Sequence, residues 1–205
     1  MTLLQDFNCQ ATVSYIFPFL VVMVIGQSVA GMIVNNPPGR RLTLILGVLS
    51  ALIVSLPVGG LPVARWLISF NANFSIPLTA VLLGKVWENA TGVKLFDSRA
   101  LMTAWIFGLT AGIILYPMGL GLGRFDPYIL GWQYSSLFLL LFVVTLGLIF
   151  TKNRFGAVLV GCMLAYNLRL LESENLWDYL VGPFYMIASA ILLGFRWKNS
   201  RSLDI

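Results

Sequence analysis

The residues of this chain best suited to chemistry are three arginines, Arg65, Arg124 and Arg169, each the one basic residue in a stretch at or between the ends of two neighbouring apolar runs. A planar guanidinium group donates paired hydrogen bonds to a phosphate or carboxylate and tolerates partial burial better than an ammonium group. The arginines therefore predict binding of an anionic group, such as a lipid head group or the acidic surface of a partner enzyme. Four acids occupy the same stretches: Asp126, Glu172, Glu174 and Asp178. Ion pairing between these acids and the arginines, with only nonspecific binding of head groups, is the open alternative.

Asparagines form a second polar set inside otherwise apolar runs. Asn71, Asn73 and Asn167 are the best candidates for intramembrane polar groups. Amides in such positions hydrogen-bond between helices or line a polar cavity. Lys85 and Glu88 stand three residues apart, so we expect them to pair on one helix face.

The sequence offers no catalytic constellation. Histidine is absent, and with it the commonest general base and metal ligand. No Gly-rich, lysine-bearing phosphate loop occurs. Asp126 with Glu172 or Asp178 could form an acid–base pair, but their spacing does not favour this over salt bridges. We therefore expect no catalytic residue, no metal and no cofactor, and the sequence favours a non-catalytic protein while leaving the question of an enzyme open.

Seven apolar runs must position these residues. Their approximate limits are 15–34, 42–58, 62–87, 100–120, 135–150, 155–171 and 177–195. Hydrophobic residues make up 59% of the chain and charged residues 10%, against roughly a quarter charged in soluble domains. We therefore predict an all-α, polytopic transmembrane helical bundle of about seven spans, forming a single domain over residues 1–205. The third run contains Arg65, Asn71 and Pro77, so we expect an interfacial or re-entrant segment over residues 62–73.

The distribution of basic residues predicts the orientation. Alternate gaps between the runs hold ten of the 13 lysines and arginines: Arg40, Arg41, Lys85, Lys94, Arg99, Lys152, Arg154, Arg196, Lys198 and Arg201. The other gaps hold only three. Basic residues stay on the cytoplasmic side, so the amino terminus is expected outside and the carboxyl terminus inside. The short loops suggest a bacterial cytoplasmic (inner) membrane. Because no loop forms a continuous basic patch, we expect no binding of nucleic acid.

Two classes of function remain. The first is a non-catalytic accessory or scaffold subunit for envelope lipid or polysaccharide machinery, with an outer rim that binds anionic head groups. Its expected partners are membrane lipids and a membrane protein or second copy. The small residues Ala104, Gly108 and Gly112 recur at a spacing of four, which indicates helix packing within the chain or dimerisation. The alternative class is a transporter or transferase acting on a lipid-linked or small anionic substrate. An apolar groove on one flank would favour the first class, and a polar cavity reaching Asn71 or Asn167 the second.

Overall fold

A computed structural model describes residues 2–133 and 135–201, and 77% of the chain is helical. The described part contains nine α-helices: α1 (Thr2–Val34), α2 (Gly39–Ser55), α3 (Val63–Phe70), α4 (Ile76–Thr91), α5 (Ser98–Pro117), α6 (Ser136–Phe150), α7 (Phe155–Asn167), α8 (Leu176–Leu180) and α9 (Pro183–Arg201). Two short strands, β1 (Pro57–Val58) and β2 (Leu61–Pro62), pair antiparallel between α2 and α3. The predicted all-α class is confirmed.

Side-chain caps define where several helices begin. The carboxylate of Asp97 accepts a hydrogen bond from the backbone N–H of Ala100 at 3.1 Å and starts α5. Ser135 and Asn175 cap α6 and α8 in the same way. A capping side chain satisfies a backbone donor that the first helical turn leaves unpaired. These polar residues therefore set the helix boundaries inside a mostly apolar sequence.

Two of the apolar runs do not form continuous helices. The third run forms α3 and α4, separated by the non-helical residues 71–75, so the interruption expected near Asn73 is present. The seventh run divides into α8 and α9 because Val181 adopts an extended conformation. Pro183 then opens α9 at a first-turn position, where the missing N–H of proline costs nothing. The prediction of one continuous helix over residues 177–195 was therefore wrong.

Only part of the described chain meets the length that a membrane crossing requires. The segments Thr12–Val34 and Ser98–Leu122 are long and apolar enough to cross a bilayer. The helices α6 and α7 are apolar but have 15 and 13 residues, against the roughly 20 that cross a bilayer without thinning it. The seven-span arrangement and its orientation therefore stay predictions.

The helices pack as two compact units. The first comprises the described residues up to Phe74 together with 78–95 and 169–172. In it α1 packs against α2 and α3, and the buried Gln27 side chain donates to the Thr43 hydroxyl at 3.0 Å and accepts from the Asn89 amide at 3.1 Å. These contacts satisfy a polar group that would otherwise destabilise the interior. The single domain expected over residues 1–205 stays a prediction.

The second unit comprises 75–77, 96–168 and the described residues from Ser173 onward. Here α5 packs against α9 at very short range. A Cβ atom on Gly108 would lie 2.5 Å from the Ser189 hydroxyl, and one on Gly112 would lie 2.7 Å from Met186. The predicted stripe of small residues thus serves packing within the chain, because only glycine permits this approach.

Candidate functional site

A half-open cavity of about 260 Å³ lies at the carboxyl-terminal end of α5, and we call it the aspartate pocket. Its lining includes Leu115, Tyr116, Gly119, Asp126, Tyr128 and Asp178. One wall is the end of α5 and the wider helical turn Met118–Leu122, which closes with Gly121 in the left-handed region at φ 82°. The 3₁₀ turn Pro127–Gly131 and α8 form the rest. Residues from three separate segments therefore meet at one cavity.

Local capping positions the first carboxylate. Asp126 caps the 3₁₀ turn, and its Oδ1 accepts a hydrogen bond from the backbone N–H of Tyr128 at 2.9 Å. Pro127 follows it, and its fixed φ suits the first position of a helical turn. The cap therefore holds the Asp126 carboxylate at the edge of the pocket.

Contacts across the unit position the second carboxylate. The Asn175 amide donates to the carbonyl oxygen of Tyr128 at 2.9 Å, and the Trp177 indole N–H donates to that of Pro127 at 2.8 Å. A Cβ atom on Gly131 would lie 1.7 Å from Asn175 Oδ1, so this approach requires glycine. These bonds attach α8 to the 3₁₀ turn and bring Asp178 to the same cavity as Asp126.

Neutral donors surround the carboxylates. Oδ2 of Asp178 accepts hydrogen bonds from the Tyr128 hydroxyl at 2.9 Å and from the Ser173 hydroxyl. Burial and the negative charge of Asp178 raise the pKa of Tyr128 to about 12, so its hydroxyl remains a donor at neutral pH. Among the residues that the structure describes, no lysine or arginine forms an ion pair with Asp126 or Asp178. The pocket is therefore acidic and lacks a basic partner.

An apolar groove of about 170 Å³ lies on the same unit, between α5, α6 and α8. Its lining includes Ala111, Ile114, Leu137, Leu141, Trp177 and Leu180. Consecutive residues line the groove and the aspartate pocket at two places, Ile114 beside Leu115 on α5 and Trp177 beside Asp178 on α8. The groove and the aspartate pocket are separate features of the same unit.

The three arginines predicted to bind anions are distributed over both units. Arg65 and Arg169 belong to the first unit and Arg124 to the second, and all three are exposed. The Arg65 guanidinium carbon lies 6.0 Å from the ring centroid of Tyr15, within the range of a cation–π contact. Neither Arg65 nor Arg124 forms an ion pair with a described acid, so the pairing alternative receives no support at these two residues. Convergence of the three arginines stays a prediction.

The predicted intramembrane amides have different surroundings. Asn71 and Asn73 lie in the break between α3 and α4, where Asn71 Oδ1 accepts from the backbone N–H of Asn73 at 3.2 Å. Asn71 Nδ2 and Asn73 Oδ1 are buried without a partner among the described residues. Asn167 is exposed instead, and its amide donates to the Met163 carbonyl of the same helix at 3.0 Å. The Asn167 amide nitrogen therefore bonds within its own helix.

The ion pair expected on α4 is present, since Lys85 Nζ lies 3.4 Å from Glu88 Oε2. From the sequence, Asp126 could pair with Glu172 or Asp178. The structure places Asp126 and Asp178 at one pocket, whereas Glu172 belongs to the other unit. The tyrosines of the pocket were missed, although the Asp126-Pro127 cap next to Tyr128 could have drawn attention to one of them.

No group of three or more Asp, Glu, His or Cys residues is arranged to hold a metal ion in the described ranges 2–133 and 135–201. Comparisons with protein-family models, with curated proteins and with solved structures find no match to this chain.

Proposed function

We propose that this chain is a non-catalytic integral membrane protein that binds lipid, acting as an accessory or scaffold subunit for envelope lipid or polysaccharide machinery. The apolar groove beside the aspartate pocket carries the proposal. A groove with an apolar lining suits the hydrocarbon chain of a lipid. The carboxylates themselves have structural tasks, because Asp126 caps a helical turn and Asp178 accepts from Tyr128.

Apolar side chains on the helix surfaces support a membrane location. Leu44 and Val48 on α2 are 72% and 63% exposed, and Leu139 and Phe150 on α6 are 66% and 82% exposed. Soluble monomers rarely expose contiguous apolar patches above a few hundred Å². Lipid tails would cover these faces without cost. Together with the two segments of spanning length, they favour an integral protein.

The orientation in the proposal has the amino terminus outside, seven spans, and the carboxyl terminus in the cytoplasm of a bacterial inner membrane. The uneven distribution of lysine and arginine supports it. Short helices such as α6 and α7 can still cross where flanking residues contribute or the bilayer thins locally. Arg65, Arg124 and Arg169 would then lie on the outer side, where they can bind the phosphates of lipid head groups.

Filling the groove tests the lipid-binding role. Thr110 lines the groove and is exposed, so Thr110→Trp should occupy the groove without entering the packed core. Ile113→Trp is the matched control, because Ile113 is 53% exposed on the same helix but does not line the groove. After purification in mild detergent, mass spectrometry should find several-fold less phospholipid on Thr110→Trp and an unchanged amount on Ile113→Trp. Equal retention by the two variants would contradict the proposal.

The break between α3 and α4 favours a second candidate, a transporter or transferase for a lipid-linked or small anionic substrate. Interrupted helices with free polar groups line the substrate sites of many transporters. Asn71 Nδ2 and Asn73 Oδ1 are buried polar atoms of this kind. Proteoliposomes containing the chain should be compared with empty liposomes for flux of inorganic phosphate and of a fluorescent phospholipid. A flux that Asn71→Leu abolishes would favour this candidate, and no flux would favour the first.

A further inference from the structure

We propose that the hairpin of β1 and β2, over residues 57–62, and the helix α3 together form an in-plane anchor. This anchor is a surface that binds the bilayer at the boundary between head groups and acyl chains. The proposal rests on the proposed integral membrane location and specifies one lipid-binding surface within it. The sequence predicts an interfacial or re-entrant segment over residues 62–73, and the distribution of side chains around α3 favours the interfacial alternative.

The side chains of α3 divide into three faces. The helix packs against α1 and α2, and Ala64 on its inner face is fully buried. Arg65 and Ser69 are both exposed, and their spacing of four residues places them on one edge of the helix. Trp66 and Phe70 have the same spacing on another edge, and they are 46% and 76% exposed. The exposed surface of α3 therefore has a polar edge and an apolar edge.

Two exposed edges of opposite character fit a helix that lies in the plane of the membrane surface. Such a helix turns its apolar edge toward the acyl chains and its polar edge toward head groups and water. A helix buried in the bilayer would instead expose the charge of Arg65 to hydrocarbon, which is strongly unfavourable. Full exposure to water would leave Trp66 and Phe70 uncovered, and such apolar surface is normally buried against a partner or a membrane.

The hairpin extends the apolar edge. The Trp66 indole N–H donates to the Val58 carbonyl oxygen at 2.8 Å, which fixes the hairpin beside this edge. Gly59 and Gly60 have φ angles of 60° and 86°, as a tight two-residue turn requires. Val58 and Leu61 are 54% and 48% exposed. These apolar side chains are therefore held in place, and the bonded indole can enter the acyl chains without an unpaired donor.

The backbone of the hairpin limits its depth in the bilayer. The strands pair only Pro57 with Pro62 and Val58 with Leu61. Each strand of a two-stranded sheet has an outer edge whose backbone groups no other strand pairs. Unpaired backbone groups are costly in hydrocarbon, whereas water and head groups satisfy them at the boundary. The hairpin therefore suits the head-group boundary better than the centre of the bilayer.

Charge and continuity select lipid as the occupant. Arg65 is the only charged residue between positions 42 and 84, and it forms no ion pair with a described acid. A lipid phosphate would supply the missing counter-charge through paired hydrogen bonds. Leu52 on α2 and Leu56 next to the hairpin are 59% and 54% exposed, so the apolar surface continues from α2 to the hairpin. Lipid that covers α2 would then cover the hairpin as well.

Nitroxide labels at adjacent positions of α3 test the anchor. Phe70→Cys and Ser69→Cys are introduced separately into the full chain with Cys9→Ser, while the fully buried Cys162 stays in place. The labelled proteins are reconstituted into phosphatidylcholine liposomes. Accessibility of each label to oxygen, which concentrates among acyl chains, is compared with its accessibility to a water-soluble nickel complex. We expect the label at position 70 to be several-fold more accessible to oxygen, and the label at position 69 to show the opposite preference.

Ser69→Cys is the matched control, because it lies one residue from Phe70 but on the polar edge. Val58→Cys gives a second position on the apolar surface, and its label should behave like that at position 70. A preference for the nickel complex at both 69 and 70 would place α3 in water and overturn the proposal. A preference for oxygen at both would place α3 within the hydrocarbon and also overturn it. Labels at 58 and 70 that neither reagent reaches would mean that protein covers the surface, which contradicts lipid as the occupant.

Leu44→Cys separates the anchor from the membrane location on which it rests. Leu44 is 72% exposed on α2 and lies outside the hairpin and α3. If its label prefers oxygen while the label at position 70 does not, only the anchor proposal fails. If its label prefers the nickel complex, the proposed integral membrane location fails with it.

Discussion

Tyr128 donates a hydrogen bond from its hydroxyl group to Oδ2 of Asp178 at 2.9 Å, across 50 residues of sequence. The bond joins the 3₁₀ turn after α5 to the short helix α8 and closes one side of the aspartate pocket. It holds the Asp178 carboxylate at a cavity that also contains Asp126.

Burial of Tyr128 and its contact with Asp178 should make stability depend on alkaline pH. The pKa of Tyr128 is raised to about 12 in the folded protein, from 10.0. The folded state therefore retains a proton that the unfolded state loses, so this stabilisation is complete below pH 10 and disappears as the pH rises through 12. Thermal unfolding of wild type in detergent should show a steeper loss of stability over this interval than Tyr128→Phe. Identical pH profiles would mean that the pKa of Tyr128 is not raised in the folded protein.

Gly108 should tolerate no large side chain. A Cβ at this position would lie 2.5 Å from the Ser189 hydroxyl and 2.7 Å from the Tyr185 ring. Gly108→Leu should lower the free energy of unfolding by about 1–3 kcal/mol through overpacking. Gly147→Leu on α6 is the control, because a Cβ there meets nothing within 4 Å. Equal melting temperatures for the two variants would show that α5 and α9 do not approach as described.

The seven apolar runs of the sequence predicted the helical class and most helix positions, because hydropathy reports burial in apolar surroundings segment by segment. The break between α8 and α9 was missed although Gly182 and Pro183 mark it, since the flanking residues stay apolar and the run looks continuous. The small-residue stripe at Gly108 was predicted as a packing face or a dimer face, and the structure shows the first.

The candidate site was predictable only in part. The capping residues Asp126 and Asn175 are visible as polar residues beside apolar runs. The sequence does not show that the two segments they cap lie side by side, because this depends on hydrogen bonds such as that from the Asn175 amide to the Tyr128 carbonyl. The sequence does not predict the groove either, because its lining residues, such as Phe107, Leu140 and Trp177, come from three helices. Local periodicity carries no information about such contacts.

The predicted topology can be tested with fusions. A reporter that is active only in the cytoplasm should be active after Ile205 and inactive after Gln133, because the distribution of basic residues predicts opposite sides for these positions. Matched expression of the two fusions is verified by immunoblot. Activity after Gln133 would contradict an external loop between α5 and α6, and with it the outer location of the aspartate pocket.

Arg124 should contribute to the retention of phosphate-bearing lipids. Arg124→Ala removes an exposed guanidinium group two residues from Asp126. We expect phospholipid retained through purification to fall roughly fivefold, the effect of about 1 kcal/mol. Arg40→Ala, an equally exposed substitution in the first unit, should leave retention unchanged. If both variants retain as much lipid as wild type, Arg124 is not a head-group ligand.

The most direct test of the account is photo-crosslinking from inside the groove in native membranes. Leu140 lines the groove and is 61% exposed, so a benzoylphenylalanine at this position would face whatever occupies the groove. After irradiation, mass spectrometry of the purified chain should find a phospholipid adduct at residue 140, and Thr110→Trp in the same chain should strongly reduce it. Crosslinking to another protein, or a chain without any lipid adduct, would contradict the proposal that this groove binds lipid.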